Sequence, residues 1–232
     1  MTTSKLNTVY LVRHGENVAN LTREFSHRLI DYSLTRKGIE QARQTAEFFR
    51  DKNIHAIYAS PLKRAQETAH IIAEALELEV TVLEQFREVN VGTLETLPPT
   101  RENWEWHNRI VTEWFQGRPE VTFPEGEDYH SLLGRMRKGL EEATAGRNGQ
   151  NIIIVGHAGI FTITLKDICT NVDYKELIRH RQRNCAITEI ELLTGDDTIT
   201  GQLKQWASHA HLAEDAPVLM TDNQETRGEG IA

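Results

Sequence analysis

Four apolar runs in this chain each end in residues that could do chemistry. Val9-Tyr10-Leu11-Val12 is followed by Arg13-His14-Gly15-Glu16, and Ala56-Ile57-Tyr58-Ala59 by Ser60-Pro61-Leu62-Lys63-Arg64. Val80-Thr81-Val82-Leu83 is followed by Glu84-Gln85-Phe86-Arg87-Glu88, and Ile152-Ile153-Ile154-Val155 by Gly156-His157-Ala158-Gly159. Two histidines, several arginines and a carboxylate on one rim are the equipment for moving a phosphoryl group. A phosphate monoester is a dianion, and its transfer is catalysed chiefly by positioning and charge stabilisation. Arg13 and Arg64 each offer a planar fork of N–H donors, and a protonated His157 would add positive charge. A neutral His14 imidazole is nucleophilic near neutral pH without first losing a proton to a base. It would attack phosphorus and carry the group as a phosphohistidine. Glu88 would give the leaving alkoxide its proton and, once ionised, activate water against the intermediate. The acid role requires Glu88 to start protonated. With that supply of cations no metal is required, and no cofactor is expected.

The elements that must hold these residues are legible in the same pattern. The four short apolar runs read as buried strands, and Ala186 to Leu193 alternates like a half-exposed one. Between them lie helical spacings: Ile39, Ala42, Ala46, Phe49; then Leu62, Ala65, Ala69, Ile72, Leu76; then Leu132, Leu133, Met136, Leu140, Ala143. Ser60-Pro61 reads as a helix start, with Ser as cap and Pro in the first turn. Alternating strands and helices predict an α/β fold, a three-layer sandwich of a mostly parallel sheet covered on both faces. Ligands of such sheets bind beyond the carboxyl ends of the strands, which is where the charged residues fall. Residues Leu97 to Glu125, with Trp104, Trp106, Trp114 and four prolines, break the rhythm. They read as a partly helical insertion folded over the sheet edge. The expected organisation is a single domain over 1–212, followed by a mobile acidic tail over 213–232.

Composition narrows the function classes. Hydrophobic residues make up 39% and charged residues 26% of the 232, which excludes a wholly disordered chain. The longest aliphatic run has four residues, far short of the roughly 20 that span a bilayer, so no membrane partner is expected. Net charge is −8, half of it after His209, where five acids face one base. A chain without a large basic stripe makes nucleic acid an unsuitable partner. The two cysteines, Cys169 and Cys185, form neither a disulfide framework nor a zinc spacing. The first seven residues lack the apolar stretch of a signal peptide, so a reducing cytoplasm is the expected location. The expected partner is a small phosphorylated substrate. Oligomeric state stays open, with a homodimer allowed.

Five blocks together resemble the histidine phosphatase superfamily, also called phosphoglycerate mutase-like. They are Arg13-His14-Gly15-Glu16 with Asn20; Asp31 with Leu34-Thr35-Arg36-Lys37-Gly38 and Gln41-Ala42; Tyr58 to Ala65 with Thr68-Ala69; Arg87-Glu88-Val89-Asn90-Val91-Gly92; and Val155 to Gly159. They stand in the family's order over about Val9 to Leu193. The resemblance implies nucleophile His14, phosphate ligands Arg13, Arg64 and His157, proton donor Glu88 and helper Asn20. Asn17, where the family usually has Ser or Thr, and Ala158, where Gly is commoner, join Asn20 in the expected substrate-binding set. Leu94-Glu95-Thr96 and Asp128 are further departures, and none removes a catalytic group.

Other readings compete at several positions. Glu84 and Glu95 rival Glu88. The run Arg179-His180-Arg181-Gln182-Arg183 reads as a solvated face or as a steering patch for an anion. The three tryptophans could line a pocket for an apolar substrate tail or pack a small cap. His209-Ala210-His211 has metal-like spacing but no evident third ligand. Three functions follow: a metal-independent phosphomonoesterase, a phosphoglycerate mutase, or a silent phosphate-binding relative. The mutases of the family carry a longer, basic insertion after the Glu block, so the short tryptophan-bearing one here favours water as the acceptor.

Overall fold

The computed structural model describes residues 5–180, 182–195 and 198–213. Its centre is a six-stranded sheet. The strands are β1 (Lys5–Arg13), β2 (Ile54–Ala59), β3 (Val80–Val82), β4 (Asn151–Gly156), β5 (Ile187–Thr194) and β6 (Ile199–Ser208). Their order across the sheet is β3-β2-β4-β1-β5-β6. The first four run parallel, and β5 and β6 close the far edge antiparallel. The helices are α1 (Val18–Thr22), α2 (Arg36–Phe49), α3 (Lys63–Leu76), α4 (Arg101–Phe115), α5 (Tyr129–Thr144), α6 (Ala158–Thr164) and α7 (Tyr174–Arg179).

The strand runs are apolar throughout because both sheet faces are covered. Along β1 and β4 successive side chains alternate. Val9, Leu11, Ile152 and Ile154 face a core with Leu132, Met136 and Leu140 of α5 and Phe161 of α6. Tyr10, Val12, Ile153 and Val155 face Phe49 of α2 and Ile72 of α3. Each fully buried Leu, Ile or Phe contributes about 1.5–3 kcal/mol, so the two-sided run holds the sheet centre rigid.

Register decides what meets at the carboxyl end. Arg13 pairs with Gly156 and Ala59 with Val155. The residues one step further, His14, His157 and Ser60, therefore stand side by side. His14 N–H donates to the Gly156 carbonyl and Ser60 N–H to that of Val155.

Several local expectations change. β3 is a three-residue edge strand, half-exposed rather than buried, because it pairs with β2 alone. β6 has no apolar signal strong enough to read, since one of its faces meets solvent. Helix α3 starts at Lys63, two residues later than Ser60-Pro61 suggests. Its first N–H groups are served from afar: Lys63 N–H donates to Asp31 Oδ1. Residues 97–125 supply α4, which lies over the carboxyl end of the sheet. There Trp104 helps wall a cavity, while Trp114 is buried in the core and Trp106 packs beside it. The chain as far as Ala213 docks on α2, through His211 to Thr45 and Ala213 to Gln44. Residues 214–232, most of the expected tail, lie outside the described residues. Among the described residues no helix is long and apolar enough to cross a membrane.

Candidate active site

The loop after β1 is locked before any ligand arrives. Gly15 N–H donates to Thr68 Oγ1, which itself donates to the Arg64 carbonyl of α3. Gly15 packs its backbone on Gly38 of α2, and a Cβ there would come 2.6 Å from the Gly38 oxygen. That close approach needs glycine at both places.

His14 is 2% exposed. Its Nδ1 lies 2.7 Å from the Gly15 carbonyl oxygen, which can only accept, so Nδ1 carries the proton. The lone pair is then on Nε2, where Arg64 Nε–H donates at 3.1 Å. Burial, then the Arg64 and Arg13 charges, push the His14 pKa well below 6.5, against the pull of the Gly15 carbonyl. The ring is neutral at pH 7 with its nucleophilic nitrogen aimed at a guanidinium.

Arg64 is held in that place by Ser26, whose hydroxyl and carbonyl oxygens both accept at 2.8 Å. Arg13 is fully buried. Its Nη1 donates to the Gln182 carbonyl, while Nε and Nη2 have no partner among the described residues. Burial lowers its pKa to about 10, against the attraction of Glu88. Asn17 caps α1 through Oδ1, and its buried Nδ2 is also unpartnered. Asn20 Oδ1 closes the capping box and accepts from Asn184 Nδ2, which also holds the His14 carbonyl.

His157 sits beside His14 with ring centroids 5.2 Å apart. It is not the added cation expected. Burial first, then Arg64, His14, Arg135 and Arg13, push its pKa well below 6.5, so the ring is neutral. Its Nε2 lies 2.7 Å from Ser60 Oγ, which already accepts from Leu62 N–H at 3.3 Å. Ser60 Oγ and His157 Nε2 share this hydrogen bond, and His157 Nδ1 has no partner among the described residues. The serine read as a helix cap is an orienting group for this histidine.

Glu88 is separated from its two rivals. Glu84 is an exposed partner of Arg87. Glu95 is buried, and its Oε1 collects the N–H groups of His27, Arg28, Leu29 and Ile30, which ties down the loop carrying Ser26. Glu88 alone of the three lines the cavity. Its carboxyl takes N–H groups from Val89, Gly159 and Ile160. A Cβ on Gly159 would fall 2.6 Å from Glu88 Oε1, so glycine there admits the carboxyl to the start of α6. Arg135, paired with Glu127, holds the Glu88 carbonyl from behind.

His14, Arg64, Glu88, Asn17, Asn20 and Ala158 all line one cavity of about 370 Å³. Arg13 and His157 stand just behind that lining. Sequence reasoning missed Ser26, Ser60, Asn184 and Gln182. Gln182 was grouped with a solvated basic run, yet it is buried, lines the cavity and leaves both amide atoms unpartnered. Arg181 of that run lies outside the described residues. Among the described residues no group of three or more His, Cys, Asp or Glu could hold a metal, and His211 instead packs on Phe48.

Two outcomes follow from this burial. Arg13→Met removes a desolvated cation, so Tm should hold or rise while kcat/KM falls about 10³-fold. A calorimetric Tm beside a rate measurement checks this, and a marked drop in Tm would assign Arg13 to structure instead. Burial also holds His14, His27, His107, His157 and His211 below 6.5. The folded protein then binds fewer protons than the unfolded chain below that value. The stability these rings contribute is present above about pH 6.5 and is lost as pH falls through their folded pKa values. Tm should drop between about pH 7.5 and 5.5, and a flat or rising curve would contradict the neutral assignments.

A three-layer α/β fold with a histidine lone pair among buried, unpaired donors defines a class: proteins that handle an anion at the strand ends of a parallel sheet. The chain belongs to the histidine phosphatase superfamily (branch 1), whose family model matches residues 9–203. It is 34% identical over 215 residues to "Probable phosphoglycerate mutase GpmB" of Enterobacter sp. (strain 638), covering 91% of this chain and 96% of the relative. The protein of the same name from Yersinia enterocolitica is 34% identical over 186 residues, 79% and 84% of the two chains. The solved phosphoserine phosphatase of Entamoeba histolytica, in complex with 3-phosphoglyceric acid, has a TM-score of 0.71 at 24% identity, covering 89% of this chain and 100% of that one. A mycobacterial glucosyl-3-phosphoglycerate phosphatase complexed with VO3 has a TM-score of 0.71 at 20% identity, covering 87% and 98%. Both structural likenesses speak for the fold.

Proposed function

We propose that this protein is a metal-independent phosphomonoesterase that works through a phosphohistidine at His14. The observation that carries the reading is the His14 lone pair on Nε2, set beside the unpaired donors of Arg13 and Asn17. A buried donor without an acceptor costs roughly 1–3 kcal/mol. A bound phosphoryl group supplies acceptors to all of them at once. The stabilisation is realised on the anion and grows as charge develops on its equatorial oxygens.

Substrate displaces Arg64 Nε from His14, and Arg13, Arg64, Asn17 and His157 take the phosphoryl oxygens. Nε2 bonds to phosphorus as the ester P–O bond breaks, and Glu88 passes its proton to the leaving oxygen. Water then attacks phosphorus, giving its proton to Glu88, and the P–Nε2 bond breaks to release phosphate. Guanidinium charge neutralises the phosphoryl oxygens, so activity should persist in chelator; strict dependence on added magnesium would count against the reading.

The name carried by the relatives supports a second reading, a mutase that returns the phosphoryl group to a bound sugar acid. An isotopically labelled phosphoryl group separates the two. A phosphatase releases the label as free phosphate, whereas a mutase moves it between substrate and product. A silent binding protein would release none from a generic aryl phosphate and form no acid-labile phosphoenzyme.

A further inference from the structure

One wall of the cavity beyond the phosphoryl cup is aromatic and apolar. Phe25 of the loop after α1 and Trp104 of α4 lie with ring centroids 4.2 Å apart, and His107 of α4 continues the wall 5.5 Å from Phe25. The indole is fixed by its N–H to the Arg23 carbonyl. Val111 of α4, Ile163 of α6 and Leu177 of α7 complete the lining. Burial keeps His107 uncharged.

The polar groups there are equally telling. Among the described residues Arg64 is the only Lys or Arg in the lining, and the cup occupies it. Asn108 and Gln182 are neutral amides, and Glu24 adds a negative charge to the wall. Among the described residues a second anionic group on the substrate, such as a carboxylate, finds no free cation in the lining and meets Glu24. Ile178 on α7 also lines the cavity and is 46% exposed, so the apolar lining reaches the surface there.

We infer that the leaving group is an uncharged alcohol with a bulky apolar, ring-bearing body, seated against Phe25, Trp104 and Ile163, rather than a sugar acid. This rests on the phosphatase reading of the His14 site and narrows it to a substrate class. A preformed apolar chamber binds such a body through area removed from water, while rigid rings offer a stacking face at little entropic cost.

The test compares kcat/KM for three alkyl esters whose leaving groups differ little in acidity: 2-phenylethyl phosphate, ethyl phosphate and 3-phosphoglycerate. The phenyl ester should exceed the ethyl ester on the order of 50-fold, from the ring area it buries. 3-Phosphoglycerate should fall below both. Trp104→Ala should cut the phenyl-to-ethyl ratio about 10-fold, and Ile178→Asp, at an exposed position that folding tolerates, about 3-fold. A ratio measured within one preparation is independent of how much of a variant is folded. Equal efficiency on all three esters, a lead for 3-phosphoglycerate, or an unchanged ratio in both variants overturns the inference and leaves the phosphatase reading standing. Release of phosphate from none of them, with no acid-labile phosphoenzyme, overturns both.

Discussion

His14→Ala should abolish turnover and the phosphoenzyme together, with kcat falling on the order of 10⁴-fold or more. The expectation rests on tautomer as much as position. The Gly15 carbonyl holds the proton on Nδ1, and two arginines oppose any second proton, so Nε2 keeps its lone pair. His107 also lines the cavity as a neutral ring, with Nδ1 bonded to Asn108 Oδ1, but no arginine is bonded to its Nε2 as Arg64 is to that of His14. Glu88 has both oxygens committed to main-chain N–H groups, and His157 Nε2 is tied to Ser60 Oγ. The substitution removes a buried ring, so a folded variant is established first by its Tm. Acid-quenched samples with labelled ester then report the covalent intermediate directly. Full activity of purified His14→Ala would refute the mechanism.

Glu88→Gln should separate the two halves of the reaction. An amide cannot give up a proton to an alkoxide. The loss on an alkyl ester should be about 10²–10⁴-fold, with a far smaller loss in the phosphorylation step for a nitrophenyl ester, whose leaving group needs no proton. Neither can it activate water, so phosphoenzyme formed from the nitrophenyl ester should accumulate. The exchange is close to isosteric but not silent. Oε1 can still accept from Val89 and Ile160, whereas the new NH₂ meets the Gly159 N–H. A modest drop in Tm is therefore expected beside the kinetic effect. Rapid-quench measurement of both esters decides it: equal losses, with no accumulated intermediate, would show that Glu88 is not the proton carrier.

Legibility differed from residue to residue for physical reasons. Arg13, His14 and His157 could be placed because they directly follow buried strands, and strand ends of a parallel sheet share one rim. Ser60 sat at such an end as well, but Ser-Pro is a strong local helix signal. Only the neighbouring strand revealed that its hydroxyl serves His157 while Asp31 supplies the cap of α3. Glu88 could not be told from Glu84 or Glu95 by spacing, since all three fall within one irregular stretch. The partners chose between them: a surface arginine for one, four loop N–H groups for another, the cavity for the third. Gln182 lay hidden in a basic run whose charge suggested water. Trp104, Trp106 and Trp114 shared one pattern, and only packing gave the first to the cavity and the others to the core.

By itself the chain order of apolar runs and the residues after them determined the fold class and the family, and picked out the groups that the proposed function uses. Such information is local: hydrophobic periodicity sets the elements, and each motif is a few contiguous residues. The tertiary structure decided which protonation state each histidine holds, which carboxylate faces the cavity and which walls a leaving group would meet. Those properties depend on distances between residues 50 to 170 positions apart, as in Arg64 with His14 and Asn184 with the His14 carbonyl. They depend also on burial, which turns a weak interaction in water into a strong one away from it.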